Sequence, residues 1–140
     1  MKVIIVMDEP GKNESLADEP HKVQMILIVE DDEAIGDLIQ QTLLLETPYQ
    51  VIRASDSDQA LKIVEQVKPQ LFLLDYQLPL MNGLELAHRL HTLPELEQVP
   101  VILMSAHLPE AASRPRTLDF LKKPFELDTL LRIVNRHLEN

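Results

Sequence analysis

Residues 71–83 read LFLLDYQLPLMNG: four apolar residues, Leu71 to Leu74, run without interruption into a carboxylate, Asp75. A short continuous apolar run fits a strand buried on both faces, as in a parallel sheet covered by helices. Two other runs have the same form. Met25 to Val29 (MILIV) precedes Glu30, Asp31 and Asp32, and Val101 to Met104 (VILM) precedes Ser105. Tyr49 to Ala54 and Leu118 to Leu121 are weaker strand candidates, the second leading into Lys123 and Pro124.

Between the runs lie stretches with helical apolar spacing. Glu33 to Glu46 is expected to bury Ile35, Leu38, Ile39, Thr42 and Leu43, and Asp58 to Val67 to bury Leu61, Val64 and Val67. Gly83 to His91 offers Leu84, Ala87 and Leu90, and Glu126 to Leu138 offers Leu127, Leu130, Leu131, Val134 and Leu138. This alternation predicts right-handed βαβ units and an open, doubly wound α/β sheet over residues 25–140. Residues 8–24 are polar and broken by Pro10, Gly11 and Pro20, so residues 1–24 read as an N-terminal extension and linker. Within it, KVIIVMDE loosely echoes MILIVEDDE at residues 25–33, as a lone strand or an unstructured tail.

Composition excludes several functions. Lys and Arg number 13 against 23 Asp and Glu, and the net charge of −10 repels phosphate backbones and anionic lipid. The absence of cysteine removes disulfides, thiolate metal sites and thiol nucleophiles, consistent with a cytoplasmic protein. Three glycines are too few for a glycine-rich nucleotide loop. The apolar run Val3 to Met7 is too short to span a membrane.

Ligands of open α/β sheets bind beyond the carboxyl ends of the strands. There the sequence places Glu30, Asp31 and Asp32, then Asp75, Ser105 and Lys123. A lone acid at such a junction is most often a helix cap. Several together repel one another unless a cation neutralises them, and a sparse set of oxygens is what Mg²⁺ accepts. Lys123 and Ser105 suit a phosphoryl group by charge and by hydrogen bond, and Asp75 is the available nucleophile.

These residues resemble the response-regulator receiver domain of two-component signalling. The motifs are ILIVEDDE, LLDYQLPLMNG, PVILMSA and FLKKPF, and the resemblance spans Met25 to about Leu138. It implies a flavodoxin-like five-stranded sheet of order 2-1-3-4-5. It also implies that Asp75 accepts a phosphoryl group from a histidine kinase or phosphotransfer protein. Asp31 and Asp75 would ligate Mg²⁺ directly, Glu30 through water, and Gln77 through its backbone carbonyl, while Ser105 and Lys123 hold the phosphoryl group. Asp32 falls to a cap, Ala106 leaves room at the site, and Pro79 and Gly83 shape the loop after the acceptor. Phe120 would be the aromatic switch responding to Ser105, and the Lys123–Pro124 peptide would be cis. Such a domain is not an enzyme beyond its own phosphorylation and dephosphorylation, and it acts on a downstream protein, with a homodimer as one form of pairing.

The sequence departs from the family between Ser105 and Lys123. That interval is about a turn shorter than expected, and Pro109 and Pro115 leave at most Glu110 to Arg114 for a helix. The fourth helix is therefore expected to be short or absent, moving partner contacts to the last helix or the loops at the site. Two other readings compete. A haloacid-dehalogenase-type phosphatase needs an acid two residues after its nucleophile, where this chain has Gln77. A pseudo-receiver would keep the fold as a phosphorylation-independent binding module. His88 and His91 have the spacing of metal ligands but lack further donors and read as exposed-face residues, whereas His107 is expected to overhang the phosphoryl position.

Overall fold

The computed structural model describes residues 23–107 and 117–138. The expected helix at Glu110 to Arg114 and the apolar segment at Met1 to Met7 lie outside those residues. In chain order the elements are β1 (Met25–Val29), α1 (Glu33–Glu46), β2 (Gln50–Ala54), α2 (Ser57–Gln66), β3 (Leu71–Asp75) and α3 (Gly83–His91). A 3₁₀ turn (Pro94–Leu96), β4 (Val101–Ser105), β5 (Leu118–Lys122) and α4 (Leu127–Leu138) follow. All strand pairs are parallel and the order is β2-β1-β3-β4-β5. This is the flavodoxin-like sheet expected, with four helices among the described residues.

The unbroken apolar runs have a direct explanation in the two layers that cover the sheet. Ile26, Ile28, Leu71, Leu73, Ile102 and Met104 pack with Ile39, Leu43, Leu130 and Val134 of α1 and α4. The alternate residues Leu27, Val29, Phe72, Leu74, Val101 and Leu103 pack with Ala60, Val64, Leu86 and Leu90 of α2 and α3. Each strand residue thus has an apolar layer to face, whichever way the pleat turns it.

Helix faces are rotated from the expectation in places. On α1 the buried residues are Gly36, Ile39 and Leu43, whereas Ile35 is 37% and Leu38 52% exposed. Arg53 of β2 occupies part of that face. Its guanidinium lies against α1 where Gly36 has no Cβ, and Nη1 donates to Asp37 Oδ1 at 2.7 Å. An apolarity count cannot register a glycine as part of a packing face. On α2 Ala60 joins Val64 in the core, Leu61 is half-buried and Val67 caps the helix rather than packing within it. On α3 Leu86 is fully buried and Leu84 only half-buried, and on α4 Ile133 is buried while Leu127 and Leu131 are half-buried.

The helices start where side chains replace missing backbone partners. Asp32 caps α1 by accepting from Ile35 N at 2.9 Å, Asp56 caps α2, and Asn82 with Glu85 forms a capping box on α3. Each such cap contributes about 1 kcal/mol. The loop from β3 to α3 is tight: Met81 N donates to Pro79 O at 2.7 Å, and the buried Ser57 hydroxyl donates to Met81 O at 3.0 Å. Between them Leu80 is held at φ 71° with its side chain in solvent. A left-handed conformation costs an L-residue roughly 1–2 kcal/mol, and glycine escapes that cost at the expense of chain entropy. Leu80→Gly is therefore expected to raise the unfolding free energy by roughly 0.5 kcal/mol. Urea denaturation checks this, and a net loss of stability would contradict it.

Candidate functional site

The sheet register carries the site. Backbone bonds continue the ladder past the strands: Glu30 N donates to Ala54 O, Tyr76 N to Met104 O, and Lys123 N to Ser105 O, at 3.1, 2.8 and 2.8 Å. Glu30, Asp75, Ser105 and Lys123, distant in sequence, consequently meet at one rim. Lys123 Nζ donates to Asp75 Oδ1 at 3.0 Å and lies 3.5 Å from Glu30 Oε1. The Lys123–Pro124 peptide is cis.

One carboxylate oxygen from each of Glu30, Asp31 and Asp75 lies within 4.8 Å of the other two, the one such acidic or histidine group among the described residues. Glu30 is 1% exposed, and its Oε1 accepts no hydrogen bond, while Oε2 accepts from Asp32 N at 3.2 Å. Burial pushes the Glu30 carboxyl up to about 7, with the charge of Asp75 adding to the rise and the Asp32 amide and Lys123 opposing it. Burial alone would lower the Lys123 ammonium, but its hydrogen bond to Asp75 and the nearby charge of Glu30 hold it above the usual lysine range. Three acids set against one lysine, with a buried carboxylate oxygen lacking a donor, fit a hard divalent cation bound through oxygen.

The acids open onto a cavity of about 980 Å³, whose other walls include Ile35, Leu84, Ala106, His107 and Phe120. Asp75 is buried as a residue, yet it lines this cavity and is within reach of the lysine. Gln77 also lines it, with its N–H 3.4 Å from Asp75 Oδ1. Ser105 lines it too, but its hydroxyl is engaged elsewhere, donating to His107 O at 2.9 Å and accepting from His107 N at 3.1 Å. Phe120 is half-buried against the layer of α2 and α3. Asp32 stands apart as the α1 cap, as expected.

His88 is exposed and His91 is half-buried, its Nε2 2.8 Å from Val99 O, which departs from the exposed face expected for both. The sequence reading missed the apolar walls of the cavity, Ile35 and Leu84, because both had been assigned to the core by helical spacing. It also missed Ser57, whose role depends on a contact 24 positions away. Asp119 of β5 anchors α4 by accepting from Arg136 Nη2 at 2.9 Å and contacting His137 Nε2 at 3.0 Å. Burial would raise its carboxyl, but hydrogen bonds from His137, Phe120 N and Arg136 outweigh that and lower it.

The shift at Glu30 has a sign that can be measured. With its folded value near 7 and its ordinary value 4.5, the folded chain binds the extra proton between them. Stability without divalent ions must therefore fall as pH rises through that window. The Asp119 contribution is already complete there, since a lowered carboxyl loses its stabilising effect only below its ordinary range. Urea unfolding in a chelator is expected to show lower stability at pH 8 than at pH 5.5, with Glu30→Gln flattening the difference. An unchanged slope in that variant would contradict the assignment.

A doubly wound sheet with acids, a hydroxyl and a lysine at one rim is the architecture of receiver domains, and the comparisons agree. Residues 26–135 match the response regulator receiver domain model, and the chain belongs to that family, the phosphoacceptor modules of two-component systems. It is 34% identical over 118 residues to the phosphate regulon transcriptional regulatory protein PhoB of Rhizobium meliloti, covering 81% of this chain and 51% of that protein. It is 32% identical over 119 residues to sporulation initiation phosphotransferase F of Bacillus subtilis, covering 82% of this chain and 94% of that protein. The chain thus spans about half of the first relative and nearly all of the second. Among solved structures, the receiver domain of sensor histidine kinase PA1611 from Pseudomonas aeruginosa PAO1, described with a magnesium ion in its active site cleft, aligns with a TM-score of 0.73. That match has 26% identity and covers 85% of this chain and 100% of that one. Among the described residues no helix is long and apolar enough to cross a membrane.

Proposed function

We propose that Asp75 accepts a phosphoryl group from a phosphohistidine on a histidine kinase or phosphotransfer protein, and that this changes which protein the domain engages. The observation that carries the reading is the Lys123 ammonium on the Asp75 carboxylate, 3.5 Å from a Glu30 Oε1 that has no hydrogen-bond partner, in an open cavity. Asp31 and Asp75 would hold Mg²⁺ directly, Glu30 through water and Gln77 through its carbonyl; the ion supplies charge neutralisation for the oxygens in transfer.

The chain's own residues account for the rest. An Asp75 carboxylate oxygen forms the new O–P bond as the P–N bond to the donor imidazole breaks, with the electron pair leaving on that nitrogen. Lys123, already bonded to Asp75, neutralises charge on the transferred oxygens. Ser105 exchanges its bonds to His107 for one to the phosphoryl group, and Phe120 turns inward into the space vacated. The reaction is the domain's own modification and its reversal, with no separate substrate turned over. A net charge of −10 favours a protein partner over nucleic acid or membrane.

Intact mass measurement after incubation with acetyl phosphate is the test. A single phosphoryl adduct is expected with Mg²⁺, and none after chelation. No adduct at saturating donor and Mg²⁺ would overturn the reading in favour of a phosphorylation-independent binding platform.

A further inference from the structure

The sequence pattern puts Ile35 and Leu38 in the core, yet both are substantially exposed, and Leu45 is 78% exposed. At spacings of three and seven residues they line a strip on one side of α1, outside the buried line of Gly36, Ile39 and Leu43, with Gln41 and Thr42 between Leu38 and Leu45. Three of the five large hydrophobics exposed among the described residues belong to this helix. Its upper end, Ile35, is a wall of the cavity over Asp75.

We propose that this strip is a docking site for the chain's own N-terminal segment, Val3 to Met7 (VIIVM). Three features select this occupant. The extension leaves the domain beside the lower end of the strip, because Gln24 O accepts from Gln50 N at 2.9 Å, four residues after α1 ends at Glu46. The lengths match: Ile35 to Leu45 spans about 15 Å at helical rise, and five extended residues cover roughly 16 Å. The connecting residues 8–22 are polar, and fifteen residues can span at most roughly 50 Å, enough to reach the whole strip. The docking does not depend on the reading of Asp75 as a phosphoacceptor.

The chain contains no cysteine, so a disulfide test in the full-length protein has no background. Asp8→Cys is paired with Gln41→Cys, an exposed position between Leu38 and Leu45 on the strip, and separately with Glu65→Cys, exposed on α2 across the sheet. Intramolecular crosslinking to position 41 is expected to be at least tenfold faster than to position 65, and adding Ile5→Asp should remove the difference. Equal rates, an advantage that survives Ile5→Asp, or crosslinks formed only between chains would each overturn the proposal. Because the readout involves no phosphoryl transfer, its failure leaves the reading of Asp75 standing, and the failure of acetyl phosphate labelling leaves the docking testable.

Discussion

Asp75→Asn is expected to abolish the phosphoryl adduct while the domain stays folded. The amide has the volume of the carboxylate, and its oxygen still accepts from Lys123, whose Nζ lies 3.0 Å from Asp75 Oδ1. What it lacks is a nucleophilic oxygen, so intact mass after acetyl phosphate and Mg²⁺ should show no adduct at any incubation time. Removing one member of a buried ion pair commonly costs about 3–5 kcal/mol, because the other charge is stranded. Here Lys123 retains Glu30 at 3.5 Å, and Glu30 is relieved of a like charge that contributes to its raised value. The change in unfolding free energy is therefore expected to stay below about 1.5 kcal/mol in the absence of divalent ions, well under that range. An adduct persisting in this variant would place the acceptor elsewhere.

Gly83→Val is expected to cost the most stability of any change near the site, about 2–4 kcal/mol by urea unfolding. Gly83 opens α3, and its N–H donates to Tyr76 O at 2.8 Å, which folds the loop back on the end of β3. A Cβ there would press on the backbone carbonyl oxygen of Asp75, 3.0 Å from its carbonyl carbon and 2.8 Å from Leu103 Cδ1. Neither neighbour can yield cheaply, since one is backbone within the sheet and the other a core side chain. Displacement therefore passes to Asp75, the proposed acceptor, and a shift of about 1 Å in reacting geometry can cost on the order of 100-fold in rate. Adduct formation in the folded fraction should fall at least tenfold. Gly36→Ala is the contrast: the atoms its Cβ would meet are the flexible end of Arg53, so its cost should stay under about 1 kcal/mol. Equal costs at the two glycines would contradict this account.

Much of the site was legible because its residues immediately follow recognisable strands. MILIV, LFLL and VILM are buried on both faces of the sheet, and such runs stay apolar whatever packs upon them. Glu30, Asp75 and Ser105 could thus be located without knowing which helix lay where, whereas Lys123 follows the weaker run Leu118 to Leu121. Helix faces were less legible. Ile35 and Leu38 fit a core pattern by spacing, but the buried line is Gly36, Ile39 and Leu43, with Arg53 packed where Gly36 has no Cβ. Similarly, a hydroxyl two positions before His107 gives no sign that both its hydrogen bonds go to that residue's backbone.

The sequence by itself determined the strand positions, the Asp32 cap and the inventory of groups at the strand ends, since these follow from local apolarity and from side chains bonding within a few positions. Only the tertiary structure decided that Glu30 lies buried with an oxygen lacking a donor, that Lys123 reaches both it and Asp75, and that Ile35, Leu38 and Leu45 of α1 are exposed. Those outcomes depend on parallel register and on how helices settle against the sheet. Both are set by contacts between residues tens of positions apart, whose geometry no local pattern encodes.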